Sequence, residues 1–175
     1  MITQKMNLLN RKQFLKTGMM TSGFIALSPF IVYGKQQDEQ QLDKKLVAEF
    51  VGAGHSKLDK VKELLEEHPT LLNAAHDWKL GDFETALGAA SHVGHKELAQ
   101  YLIDKGAQAN IFTAALFGRI DIIKPMLDLF PSALNAKGPH GFTLLHHAQR
   151  GGEEAEIVTK YLTSLGAKET KVKLY

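Results

Sequence analysis

Between Lys96 and Lys105 the apolar residues Leu98, Tyr101 and Leu102 recur at i, i+3 and i+4, which sets them on one face of a helix. The stretch before it, Thr85 to Ser91, reads as a shorter helix whose alanines allow close approach to its neighbours, and Gly94 separates the two. Gly106 suits the residue just past the second helix, because the left-handed conformation costs glycine little, and Gly166 stands in the matching place further on. The pattern predicts a helix pair as the structural unit.

The unit recurs with an irregular period. An alanine followed four residues later by a glycine occurs at Ala90/Gly94, Ala114/Gly118 and Ala148/Gly152, and Ala53/Lys57 fits the frame with the glycine lost. Those alanines are 37, 24 and 34 residues apart, and the apolar landmarks Leu65, Leu102, Met126 and Leu162 are 37, 24 and 36 apart. The two frames agree except for two residues added in "GGEEAE", so the chain is a repeat array of about four units. Pro125 takes the place that Tyr101 holds in the second unit, in or just past the first turn, where it is either tolerated or kinks the helix.

The repeat has a recognisable signature. Gly141-Phe142-Thr143-Leu144-Leu145-His146-His147-Ala148 departs from G-x-T-P-L-H-x-A only at Leu144, and Thr85-Ala86-Leu87-Gly88-Ala89-Ala90 keeps the threonine, leucine and alanine. With Gly94-His95 and Gly106-Ala107, these residues make the chain resemble the ankyrin-repeat family over roughly residues 42–170. The resemblance implies an all-α solenoid of about four helix-turn-helix units over 44–175. The 24-residue step implies a third unit, Ile111 to Asn135, without most of its β-hairpin. Such units bury their apolar faces only against neighbours, so stability comes from stacking.

The resemblance also implies a non-catalytic module that binds a protein partner through a concave face. The positions just before each glycine fall on that face: His55/Ser56, His92/Val93, Leu116/Phe117 and Arg150/Gly151. Hairpin tips add Trp78, Lys79, Asp82, Phe83 and Glu84 in the second unit and Lys137, Pro139, His140 and Phe142 in the fourth. The candidate contacts are therefore Trp78, Phe83, His92, Val93, Leu116, Phe117, His140, Phe142, His147 and Arg150. Leu116 and Phe117, if exposed, would form an apolar hot spot rimmed by His92 and Arg150. Alternatively, the missing hairpin lets them turn into a locally altered core.

The N-terminus has a different character. Lys5, Arg11, Lys12 and Lys16 precede 17 uncharged residues, Thr17 to Tyr33, and Val32-Tyr33-Gly34 suits a signal peptidase. Residues 1–34 thus read as an export signal, cut after Gly34 rather than Ser28, which Pro29 follows; 35–43 is a polar tether. Arg11, Phe14, Leu15 and Lys16 match the twin-arginine export motif S-R-R-x-F-L-K, and Lys12 departs from its second arginine. The destination expected is the bacterial periplasm. The alternative is an uncleaved inner-membrane anchor, for which 17 apolar residues with Gly18, Gly23 and Pro29 are short and poorly helical.

Composition narrows the chemistry. The signal carries +4, and the remaining 17 basic residues face all 19 acids, so no concentrated basic surface is available for nucleic acid. Absence of cysteine excludes disulfides, thiol nucleophiles and thiolate metal sites. Neither G-x-S-x-G nor a phosphate-binding glycine loop occurs, and Gly52-x-Gly54 reads as a turn. Of eight histidines, His146 and His95 occupy structural positions of the family, and only His55, His92, His147 and, at the edge, His140 could gather on the concave side. The expectation is a protein-binding module with no cofactor and no metal, its partner a protein such as a co-exported enzyme. The alternative is a small-molecule or metal-binding module, or weak hydrolase, around His92, His147 and Arg150.

Overall fold

The computed structural model describes residues 41–175; the export-signal residues Arg11, Lys12, Phe14, Leu15 and Lys16 lie outside the described residues. Helices α1 (Lys44–Ala53) and α2 (Leu58–Glu67) form the first unit and α3 (Ala86–Val93) and α4 (Lys96–Asp104) the second. The third unit is α5 (Ile111–Leu116) with α6 (Ile120–Leu129), and the fourth α7 (Leu144–Arg150) with α8 (Glu156–Ser164). Side chains stop the inner helices from fraying. Asp43 accepts from the amides of Lys45 and Leu46, Thr85 from Gly88, Asn110 from Phe112 and Thr113, and Thr143 from His146. Each such cap contributes about 1 kcal/mol.

Strands β1 (Ala75–Asp77) and β2 (Phe83–Thr85) pair antiparallel, with His76 opposite Glu84, and make the finger that precedes α3. Its tip is the turn Lys79-Leu80-Gly81-Asp82, closed by the Asp82 amide donating to the Lys79 carbonyl at 3.0 Å. Leu80 and Gly81 both have positive φ, 53° and 86°, as the central residues of a type I′ turn do. The third unit has no such finger: Ala107 to Asn110 run straight from Gly106 into α5. The fourth has a single turn at Pro139–Gly141 in place of the expected hairpin. The C-terminal segment closes over it, with the amides of Thr143 and Val172 donating to the carbonyls of Thr170 and Gly141.

The short third unit changes how the stack closes. Helices α3, α5 and α7 touch one another in all three pairings, so the fourth unit reaches the second directly. His146 Nε2 lies 2.8 Å from the His92 carbonyl, Arg150 Nε donates to the Val93 carbonyl at 3.0 Å, and Lys96 bridges to the Gly151 carbonyl and to Glu154.

Burial follows the helical stripes, with one change of register. One core joins the first two units through Phe50, Val61, Leu71, Leu98 and Leu102; a second joins the others through Ile123, Leu144, Val158 and Leu162. Met126, the landmark expected to match Leu102, is 37% exposed, and Ile123 and Leu127 are buried instead. Burial in α6 has thus moved one residue along, in a helix that carries Pro125 in its interior. Ile122 and Met126 consequently line an open apolar groove of about 640 Å³ with Ile103, Ile111 and Phe117.

Gly118 tests this close packing. It has φ +65°, and a Cβ placed there would lie 2.1 Å from the Glu154 carbonyl oxygen. Gly118→Ala should destabilise the protein by more than about 2 kcal/mol, from left-handed strain plus the clash. Gly52→Ala, in a helix with nothing within 4 Å of the new methyl, should stabilise by about 0.5–1 kcal/mol. Urea denaturation of the two variants checks both signs.

Candidate functional site

Strand alternation builds the site's floor. The pleat turns Phe83 outward, 61% exposed, and the next residue Glu84 inward, 1% exposed. Three imidazoles from three different units meet that carboxylate. His55 comes from the loop after α1, His92 from the last turn of α3, and His140 from the fourth unit's turn. His92 Nε2 is 3.0 Å from Glu84 Oε1, and His140 Nε2 and His55 Nε2 are 3.3 and 3.6 Å from Oε2. His92 Nε2 and His55 Nε2 are 3.2 Å apart.

Each group is held from behind. His140 Nδ1 lies 2.8 Å from Asp82 Oδ2 while its own amide donates to Asp82 Oδ1, also at 2.8 Å. His55 Nδ1 lies 3.1 Å from the Gly52 carbonyl. Trp78 Nε1 donates to Glu84 Oε2 at 2.7 Å, and the His92 ring stacks on Phe142 with centroids 4.9 Å apart. Burial pushes the Glu84 carboxyl upward, but the His92 imidazole and the Trp78 N–H outweigh it, so its pKa falls below the ordinary value. Asp82 behaves likewise: burial opposes its charge, and the two bonds from His140 more than compensate.

Hydrogen bonding leaves the cluster short of donors. The Nδ1 atoms of His55 and His140 face acceptors, a carbonyl and a carboxylate, which favours a proton on each Nδ1, and both Nε2 atoms are turned toward Glu84. Glu84 Oε1 is fully buried and has no hydrogen-bond partner, with His92 Nε2 3.0 Å away as its ion-pair neighbour. Three imidazole nitrogens and a carboxylate therefore converge on one point, an arrangement suited to a shared proton or a cation at its centre. None of the four carries a hydroxyl or thiol nucleophile.

The remaining sequence candidates are dispersed. Leu116 is wholly buried in the first core, so it offers no surface contact; the altered-core alternative describes it. Phe117 faces the apolar groove beside α6. His147 is buried with Nδ1 donating to the Thr143 carbonyl at 2.7 Å, which removes it from any concave site. Phe142 is wedged between the rings of His92 and His146. Arg150 is exposed, with its guanidinium bonded to the Val93 carbonyl, and Val93 is partly buried. Asp82 and Glu84 are buried rather than presented at a fingertip. Trp78 and Phe83 do reach solvent, joined by Leu80, which the sequence pattern had not singled out.

Residues 82–114 match the Ankyrin repeat family, the stretch comprising the end of the finger, α3, α4 and the start of α5. The fold is an ankyrin-repeat solenoid. No curated protein matches the chain. Ankyrin repeats generally mediate protein–protein interaction, and the family is typically non-catalytic. Within this ankyrin stack His146, at a structural position of the family, reaches from the fourth unit to the second unit's His92 carbonyl.

His147 sets a pH dependence of its own. Burial pushes its pKa down to about 4, so the folded protein keeps it neutral while an unfolded chain takes up a proton below about 6.5. Because the unfolded state binds the extra proton, stability falls as pH drops from 6.5 toward 4, by about 3 kcal/mol. In His147→Gln that part of the slope should vanish, as urea midpoints measured at pH 7, 5.5 and 4 would reveal.

Proposed function

We propose that the protein is an exported, non-catalytic module that holds a protein partner against the finger of its second unit. The observation that carries this reading is the apolar fingertip: Trp78, Leu80 and Phe83 are 39, 81 and 61% exposed on one rigid hairpin. Leucine is a costly choice at Leu80, where positive φ favours asparagine or glycine. A strained, exposed apolar side chain contributes nothing to folding and suits a contact residue. Behind it, the Trp78–Glu84 bond and the Asp77 carboxylate accepting from the Gly81 amide hold the finger in shape, which lowers the entropy lost on binding.

Export rests on residues 1–34, where a basic start, an uncharged run and small residues at 32–34 follow the order of a signal peptide. Among the described residues no helix is long and apolar enough to cross a membrane. The partner this combination suggests is a protein of the bacterial envelope, such as an enzyme exported alongside.

Leu80→Asn separates binding from folding. It should raise stability by about 1 kcal/mol by relieving the turn. Together with Phe83→Ser it should abolish retention of a specific protein from an envelope extract; retention unchanged in both variants would rule out the finger as the contact. Protein isolated from the periplasm should begin at Lys35 by N-terminal sequencing. An intact N-terminus in the membrane fraction would instead indicate an anchor.

A further inference from the structure

The cluster at the root of the finger is built in the way a metal centre is built. Four ligating atoms, one each from His55, Glu84, His92 and His140, lie within 4.8 Å of one another. A tetrahedral ion with bonds of about 2.0–2.1 Å needs its ligand atoms about 3.3–3.4 Å apart. His55 Nε2 and His92 Nε2 are 3.2 Å apart, and each of the three imidazoles stands 3.0 to 3.6 Å from one or the other Glu84 oxygen, distances that bracket that value. We propose that His55, Glu84, His92 and His140 bind one divalent transition-metal ion, with zinc as the best fit to three imidazoles and a carboxylate. This departs from the sequence expectation of no metal, and it does not depend on the protein-binding role.

Three further observations carry the assignment. The ligands have outer partners of the kind metal-bound histidines have: Asp82 behind His140, the Gly52 carbonyl behind His55 and the Trp78 N–H on Glu84. The buried Glu84 Oε1 has no hydrogen-bond donor, a deficit that a cation removes. Finally, Glu84 and His92 are buried while the side chains of His55 and His140 are 30 and 26% exposed, so an ion can enter from the solvent side. With four protein ligands the site is closed, as structural zinc sites are. Its ligands come from the first, second and fourth units, so the ion would brace units that adjacent stacking alone does not join.

The test uses the full chain, stripped with chelator and titrated with Zn²⁺ and, for spectroscopy, Co²⁺. Expected are one ion per chain, the intense visible bands of tetrahedral Co²⁺, and a thermal midpoint that rises with Zn²⁺. His55→Gln and His140→Gln remove partly exposed ligands and should keep the fold, checked by circular dichroism. Each should lower affinity by at least tenfold and abolish the Co²⁺ bands. Asp82→Asn, which loosens only the support of His140, should weaken binding about 10–100-fold while retaining the tetrahedral spectrum. No binding by the wild type, or the same affinity in both histidine variants, would overturn the proposal. The latter outcome would place the ion on other histidines, and the former would leave protons as the cluster's counter-charge.

Discussion

A solenoid that loses one hairpin must either leave a gap or bring the flanking units together. Here the flanking units meet: the missing finger of the third unit lets the fourth unit's turn lie against the second unit's finger, where Asp82 takes two hydrogen bonds from His140. The same closure places His146 and Arg150 on the carbonyls that end α3. In a regular stack each unit contacts only its immediate neighbours. The direct contact between second and fourth units is one that a regular stack lacks, and it turns a row of separate positions into one cluster.

That closure also determines which side chains are spent on structure and which face outward. Arg150 and Phe142 contact the second unit across that closure, while His147 is buried on the Thr143 carbonyl of its own unit. Glu84 and Asp82 are drawn inward to meet the histidines, which leaves the apolar residues of the finger, Trp78, Leu80 and Phe83, to meet solvent. The finger's two faces thus carry different chemistry because of strand alternation: one a polar cluster under the fold, the other an apolar tip. The Trp78 indole joins them, since its N–H serves Glu84 while its ring remains partly exposed.

Much of the architecture was legible in the chain. The alanine–glycine frame, the apolar stripes and the short third unit are local or periodic features, so spacing alone located all four helix pairs. The register of α6 was not legible, because Met126 satisfies the same period as Leu102 and only the packing decides that Ile123 and Leu127 are buried instead. Three of the four histidines placed on the concave side do converge. His147 does not, since one step along α7 turns it into the core. Glu84 stood among the hairpin-tip residues but gave no sequence signal as a buried partner of the histidines, because a glutamate in a short polar hairpin reads as a solvated tip.

By itself the sequence determined the unit, its count and its irregularity, together with glycines such as Gly94, Gly106 and Gly166 that follow its helices. These depend on interactions within a few residues, which chain order specifies directly. Tertiary structure alone decided that His55, Glu84, His92 and His140, spread over 86 residues, share one point. Their meeting depends on how far the fourth unit swings when a hairpin is absent, a property of the packed helices α3, α5 and α7 taken together. Long-range geometry of that kind is the sum of many small packing choices, and no single residue or spacing encodes it.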